Sequence, residues 1–174
     1  MFENKDLTPL LVPIKIGSTI LKNRIVFPAM CTNYSDDQGS LTPKLRAFVV
    51  ARAAGGVGMC ILPGTIYGSP GRERQATTND SCIQGWKNLK NLLSDYNVKL
   101  FCQLHPDPRL LRKPEEYTIE QIHQLILDYT TATRRAREAV LDSVEVSGRS
   151  QEIALFLSPY YNCRQDSYGG DLEG

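Results

Sequence analysis

Residues 43–62 read PKLRAFVVARAAGGVGMCIL, a helix pattern followed directly by a strand pattern. Thr42 is a typical helix cap, because its oxygen can accept from a free N–H group, and the proline that follows suits the first helical position. The pair Gly55–Gly56 predicts the end of the helix. Residues 57–62 are almost entirely apolar, as in a strand that is buried on both faces. The stretch therefore predicts a helix that packs on a buried strand.

The same alternation of strand and helix runs through the chain. Apolar runs centred near residues 26, 60, 101 and 145 predict four strands, the first over 24–30 and the last over Ser143–Val146. Amphipathic stretches predict two further helices, over 83–96 and 119–139. A hairpin is predicted over 14–20, and the tail from 158 to 174 is predicted to be loop. Strands that alternate with helices favour a parallel sheet covered by helices.

Two architectures share this order of elements, an open doubly wound sheet and a (β/α)8 barrel. A complete barrel takes about 250 residues, so four strands in 174 residues would form half a barrel. Periodicity alone leaves both architectures open. In either case we expect one domain over residues 1–174.

Composition excludes several classes of function. The chain has 20 basic and 19 acidic residues, a net charge of +1, so no basic surface for nucleic acid or membranes is expected. No apolar run is long enough to span a bilayer, and the N-terminus does not read as a signal peptide. We therefore expect a cytoplasmic protein. The five cysteines contain no CxxC pair, which predicts no metal site and thiols that are reduced and mostly buried.

Two stretches carry a resemblance to a known family: residues 23–32, NRIVFPAMCT, and residues 156–170, FLSPYYNCRQDSYGG. With matching pieces between them, such as RAAGGVG at 52–58, they resemble the N-terminal half of the old yellow enzyme family. Members of that family are FMN-dependent NAD(P)H oxidoreductases that reduce activated alkenes, and they include 2,4-dienoyl-CoA reductases. The resemblance implies a partial TIM (β/α)8 barrel of about four β/α units with an N-terminal hairpin.

The resemblance also implies where FMN would bind, at the carboxyl ends of the strands, with NAD(P)H as reductant and a small molecule as substrate. A thiol beside the isoalloxazine ring can alter its electronics, and a glutamine amide can donate to and accept from its pyrimidine ring. The positions that match the family's flavin contacts are Pro28, Ala29, Met30, Cys31, Cys60 and Gln103.

The chain departs from the family where the substrate would bind. After the fourth strand the family carries a histidine pair that polarises the substrate carbonyl, and Ser147 and Ser150 stand at those positions. Glu152 stands where a tyrosine often protonates the product. Serine reaches less far than imidazole, and loss of one such donor costs about a hundredfold or more in rate. We expect the chain alone to have very low activity or none.

The family's phosphate-binding loops, after strands seven and eight, have no counterpart in this chain. We therefore expect either self-association or pairing with a separate C-terminal half, because a half barrel exposes strand edges and apolar surface. A truncated, catalytically inactive fragment or a scaffold for interactions is the alternative. A third hypothesis is an unrelated α/β binding domain, but the series of matching motifs argues against it.

Overall fold

The computed structural model describes residues 6–107, 109, 112–148 and 151–170. Short 3-10 turns follow the third helix, at Ser94–Tyr96, and precede the fourth, at Pro114–Glu116. In chain order the elements are α1 (Thr8–Leu11), β1 (Ile14–Ile16), β2 (Thr19–Leu21), β3 (Val26–Phe27), α2 (Pro43–Ala54), β4 (Met59–Thr65), β5 (Gln75–Ala76), α3 (Cys82–Leu92), β6 (Lys99–His105), α4 (Ile119–Glu138), β7 (Ser143–Val146) and α5 (Gln151–Phe156).

The main sheet has the strand order β3-β4-β6-β7, all parallel, with β5 paired to the end of β4. Along the chain, β4 pairs with β3, β6 pairs with β4 and β7 pairs with β6, so the sheet grows in one direction only. A doubly wound sheet would reverse its order partway, so this succession is that of a barrel wall. The predicted partial (β/α)8 barrel is confirmed, and β1 and β2 form the predicted antiparallel hairpin before it.

The two faces of the sheet are covered differently. The larger apolar core lies between the sheet and helices α2, α3 and α4, and it includes Leu62, Leu100 and Leu104 from the strands. The opposite, inner face carries a smaller cluster near the amino ends of the strands, formed by Leu21, Met59, Ile61 and Phe101. Side chains alternate between these faces along each strand, so the sequence of a strand decides which layer each residue enters.

Local signals set the helix starts as predicted. Thr42 accepts a hydrogen bond from the Leu45 N–H at 3.2 Å. Thr118 and Gln121 form a capping box at the start of α4, in which each side chain accepts from the other residue's backbone N–H. The last strand, Ser143–Val146, has the predicted bounds.

Some predicted elements differ from the structure. The first strand pairs only over Val26–Phe27 and is half-exposed, because it lies at the edge of the sheet and Pro28 has no N–H to donate. Helix α3 ends at Leu92, which is half-exposed, while Leu93 enters the core instead. The short elements β5 and α5 carry too little periodic sequence to be predicted.

Within the described residues, no helix has both the length and the apolar character needed to cross a membrane.

Candidate functional site

The carboxyl ends of β3, β4, β6 and β7 meet at one edge of the sheet, and polar side chains replace apolar ones there on the inner face. Gln103 follows the buried inner-face residue Phe101 by two positions, so it lies on the same face. Its strand neighbour in register is Glu145 of β7. The Gln103 Nε2 donates to Glu145 Oε1 at 2.5 Å. Both side chains are half-buried, so this pair is held in place yet reachable from the open side.

The loop that follows β3 reaches the same edge of the sheet, because β3 pairs in parallel with β4. Ala29 packs against the inner apolar cluster. Pro28, Met30 and Cys31 are exposed. The structure thus brings the predicted positions 28–31 and Gln103 to one end of one sheet.

Cys60 lies elsewhere. Its side chain is wholly buried in the core between the sheet and the helices, because it alternates with the inner-face residues Met59 and Ile61. Burial raises the pKa of this thiol to about 11, although the charges of Arg52 and Lys22 act in the other direction. This placement does not fit the flavin contact predicted for Cys60.

Of the two serines at the family's histidine positions, the structure describes only Ser147. Ser147 is buried, and its N–H donates to the Leu104 carbonyl at 3.3 Å, which extends the pairing of β6 and β7 by one step. Ser147 follows Glu145 by two residues, so it continues the inner face of the sheet just beyond the Gln103–Glu145 pair. Ser150 lies outside the described residues.

Glu152 is buried beside two phenols. The Tyr67 hydroxyl, from the loop after β4, donates to Glu152 Oε1 at 3.2 Å. Burial, together with the nearby Glu152 charge, raises the pKa of Tyr67 and of Tyr117, so both phenols hold their protons at neutral pH. Sequence reasoning did not find Tyr67, because no local pattern connects residues 85 positions apart.

A second polar cluster fixes the loop after β6. Asp107 is buried, and it accepts from the Ser69 N–H at 3.2 Å and from the Arg109 Nε at 2.8 Å. The hydrogen bonds from Arg109 are the main cause that lowers the pKa of Asp107 to about 2. This carboxylate therefore links the loop after β4, through Ser69, to the loop after β6.

Arg164 holds the tail of the chain against the turn before α4. Its guanidinium donates to the carbonyls of Pro114 and Tyr117 at 2.5 and 2.7 Å, and it also pairs with Asp166. These contacts join the tail to the turn before α4.

With this geometry, the chain falls in the class of parallel β/α-barrel proteins, of whose barrel the described residues form about half. It belongs to the NADH:flavin oxidoreductase / NADH oxidase family, whose sequence model matches residues 9–121 and 110–174. The two matched segments overlap at 110–121, so the correspondence with the family is interrupted at the loop between β6 and α4.

Relatives in sequence bear related names. The chain is 32% identical to an NADH oxidase of Thermoanaerobacter brockii, over 91% of this chain and 29% of that protein. It is 30% identical to an NADPH dehydrogenase of Bacillus subtilis strain 168, over 94% of this chain and 55% of that protein. The chain thus spans between 29% and 55% of the length of these relatives.

Solved structures show the same partial coverage. The Old Yellow Enzyme of Pichia sp. AKU4542 matches 95% of this chain with a TM-score of 0.81 and 25% identity, and the match covers 52% of that enzyme. The half barrel described above is therefore a shared arrangement, superposable on about half of a larger barrel.

Proposed function

We propose that this chain is the N-terminal half of an FMN-binding, NAD(P)H-dependent oxidoreductase of the ene-reductase type. The observation that carries the proposal is the Gln103–Glu145 pair on the inner face, at the carboxyl ends of parallel strands, in a chain of this family. Barrel enzymes place their reacting groups at this end of the strands.

The residues present fit a flavin. The Gln103 amide offers a carbonyl oxygen and the second N–H of its NH2 group, the first being donated to Glu145, and these match the donor and acceptors of the pyrimidine edge of an isoalloxazine ring. Residues 28–31 supply backbone groups at the same edge of the sheet, together with the exposed Cys31 thiol. FMN, when bound, would take a hydride from NAD(P)H and pass it to an activated alkene. The part of this chain is to hold and orient the ring.

The substrate side is weaker than in the family. Ser147 is buried and its backbone is used by the sheet, so it offers at most a short-reaching hydroxyl where imidazole is expected. We infer a substrate with an activated double bond but slow turnover. The same observation favours the second candidate, a catalytically inactive scaffold that keeps the half barrel.

We propose that a complementary half barrel covers the open side. Strands β3 and β7 end the sheet path, so each has an unpaired edge among the described residues. A groove of about 430 Å³ lies between α4 and α5, on the helix side of the sheet and beside the unpaired edge of β7, where a further element of the partner could pack. Its lining includes the exposed apolar residues Ile126, Val146 and Leu157. The proposed partner is a chain equivalent to the remaining half of the NADPH dehydrogenases, since those relatives are about twice as long.

Titration of the purified chain with FMN tests this function, followed by flavin fluorescence and by light scattering for the mass. The proposal predicts saturable binding, with one flavin per chain or per pair of chains. Riboflavin is the matched ligand, because it lacks the phosphate that in this family is expected to be held by loops after strands seven and eight. We expect it to bind within about threefold of FMN, a difference well below one charged hydrogen bond. Absence of binding at high micromolar FMN would favour the scaffold.

A further inference from the structure

The inner-face pair Gln103–Glu145 has a defined direction. The Gln103 Nε2 donates and the Glu145 carboxylate accepts. An ionised carboxylate has only acceptor atoms, so the amide must turn its NH2 group, and not its oxygen, toward Glu145. The two residues are in register on adjacent strands, and therefore the backbone itself holds them opposite each other.

This contact leaves the other end of the amide free. Within the described part of the chain, no group donates to the Gln103 Oε1, and the side chain is half-buried on the open face. Because the NH2 group is turned toward β7, the carbonyl oxygen lies on the other side of the amide, the side of β4 and of the loop at residues 28–31. A glutamine without such a neighbour could present either end, since rotation of the amide by a half-turn exchanges oxygen and nitrogen.

We propose that Glu145 is a positioning residue: it orients the Gln103 amide so that the carbonyl oxygen is offered to the cofactor. This inference rests on the proposed flavin site. The ligand edge selected in this way carries an N–H donor, and in a flavin that donor is N3–H. Glu145 would thus act on ring recognition through Gln103, without touching the ring itself.

The orientation is measurable without any ligand. In a 15N-labelled chain, the two Nε2 protons of Gln103 give a pair of NMR signals. An amide proton that is hydrogen-bonded to a carboxylate has a downfield chemical shift and exchanges slowly with solvent. We expect the downfield shift and the slow exchange in the wild-type chain. Both effects should be smaller in Glu145→Gln and absent in Glu145→Leu. Glu138→Gln is the control, because it removes one carboxylate from the exposed, Arg134-paired surface of α4. Identical Gln103 signals in all four proteins would overturn the proposal.

The consequence for the ligand is tested with FMN and 3-methyl-FMN, which lacks the N3–H donor. One hydrogen bond contributes about fivefold to tenfold in affinity, so methylation should weaken binding to the wild type by at least that factor. In Glu145→Leu the same methylation should cost only about twofold, because the amide is no longer held in one orientation. An unchanged methylation factor in Glu145→Leu contradicts the proposal. If no protein binds either flavin, the proposed function fails, while the NMR signals still decide the orientation of Gln103.

Discussion

The two faces of the sheet differ in how fully other elements of the chain cover them. On the helix-covered face, Leu62, Leu100 and Leu104 are wholly enclosed by α2, α3 and α4. On the inner face, a four-residue apolar cluster near the amino ends gives way to the polar pair Gln103–Glu145. One face therefore behaves as the interior of a folded domain, and the other as the wall of a barrel of which the described residues form about half. This difference separates residues that stabilise the fold from residues that we propose contact a ligand.

Thiol labelling should show the largest difference between the faces. Cys60 and Cys102 are buried in the helix-covered core, whereas Cys31 is exposed on the loop at the open end. A buried thiol reacts only through transient opening, which suppresses its rate by roughly a hundredfold or more in a stable domain. We expect rapid reaction of Cys31 with a water-soluble disulfide reagent and slow reaction of Cys60, followed by mass spectrometry. If Cys60 reacts as fast as Cys31, the core on that face is not closed.

Core truncations should differ in cost between the faces. Leu100→Ala removes a fully buried side chain from the enclosed core and should lower the free energy of unfolding by about 3–4 kcal/mol. Ile61→Ala, on the inner face, should cost about 2 kcal/mol, since water can fill the space on the open side. Urea unfolding monitored by Trp86 fluorescence measures both. Equal costs would mean that the inner face is as tightly enclosed as the other.

Alkaline stability should show a smaller effect. Burial raises the pKa of Cys60 to about 11 in the folded chain, whereas the thiol of an unfolded chain titrates near about 8.5. A group whose folded pKa is raised contributes stability that is complete below the unfolded pKa and is lost as pH rises through the folded one. Unfolding free energy should therefore fall between about pH 9 and pH 11, and it should fall less steeply in Cys60→Ala. Cys31→Ala, at an exposed site, is the control, and an equal slope in both variants would refute the assignment.

The local features of the fold follow from the sequence because their causes are local. The caps at Thr42 and Thr118, the hairpin and the strand Ser143–Val146 each depend on residues a few positions apart. The length of β3 and the exposed position of Leu92 depend on what lies beside them in the sheet and the helix layer. Such neighbours are set by tertiary packing, which overrides local propensity.

The candidate site was predictable only in part for the same reason. The resemblance identified Gln103 and residues 28–31, and the structure brings them to one edge of the sheet. It also identified Cys60, but whether a strand residue faces the helices or the interior depends on the alternation phase, and the apolar run around Cys60 hides that phase. The Glu145 partner of Gln103 depends on strand register, which the sequence of either strand alone does not reveal.

The central claim is that the inner face, and not the helix-covered face, binds flavin. It is tested most directly by the FMN dissociation constants of Gln103→Leu and Cys60→Ala beside the wild type. The account predicts that Gln103→Leu weakens FMN binding by about tenfold, the loss of one or two hydrogen bonds, and that Cys60→Ala leaves it within about twofold. Unchanged affinity in Gln103→Leu, or a larger loss in Cys60→Ala in a chain that is still folded, would contradict it.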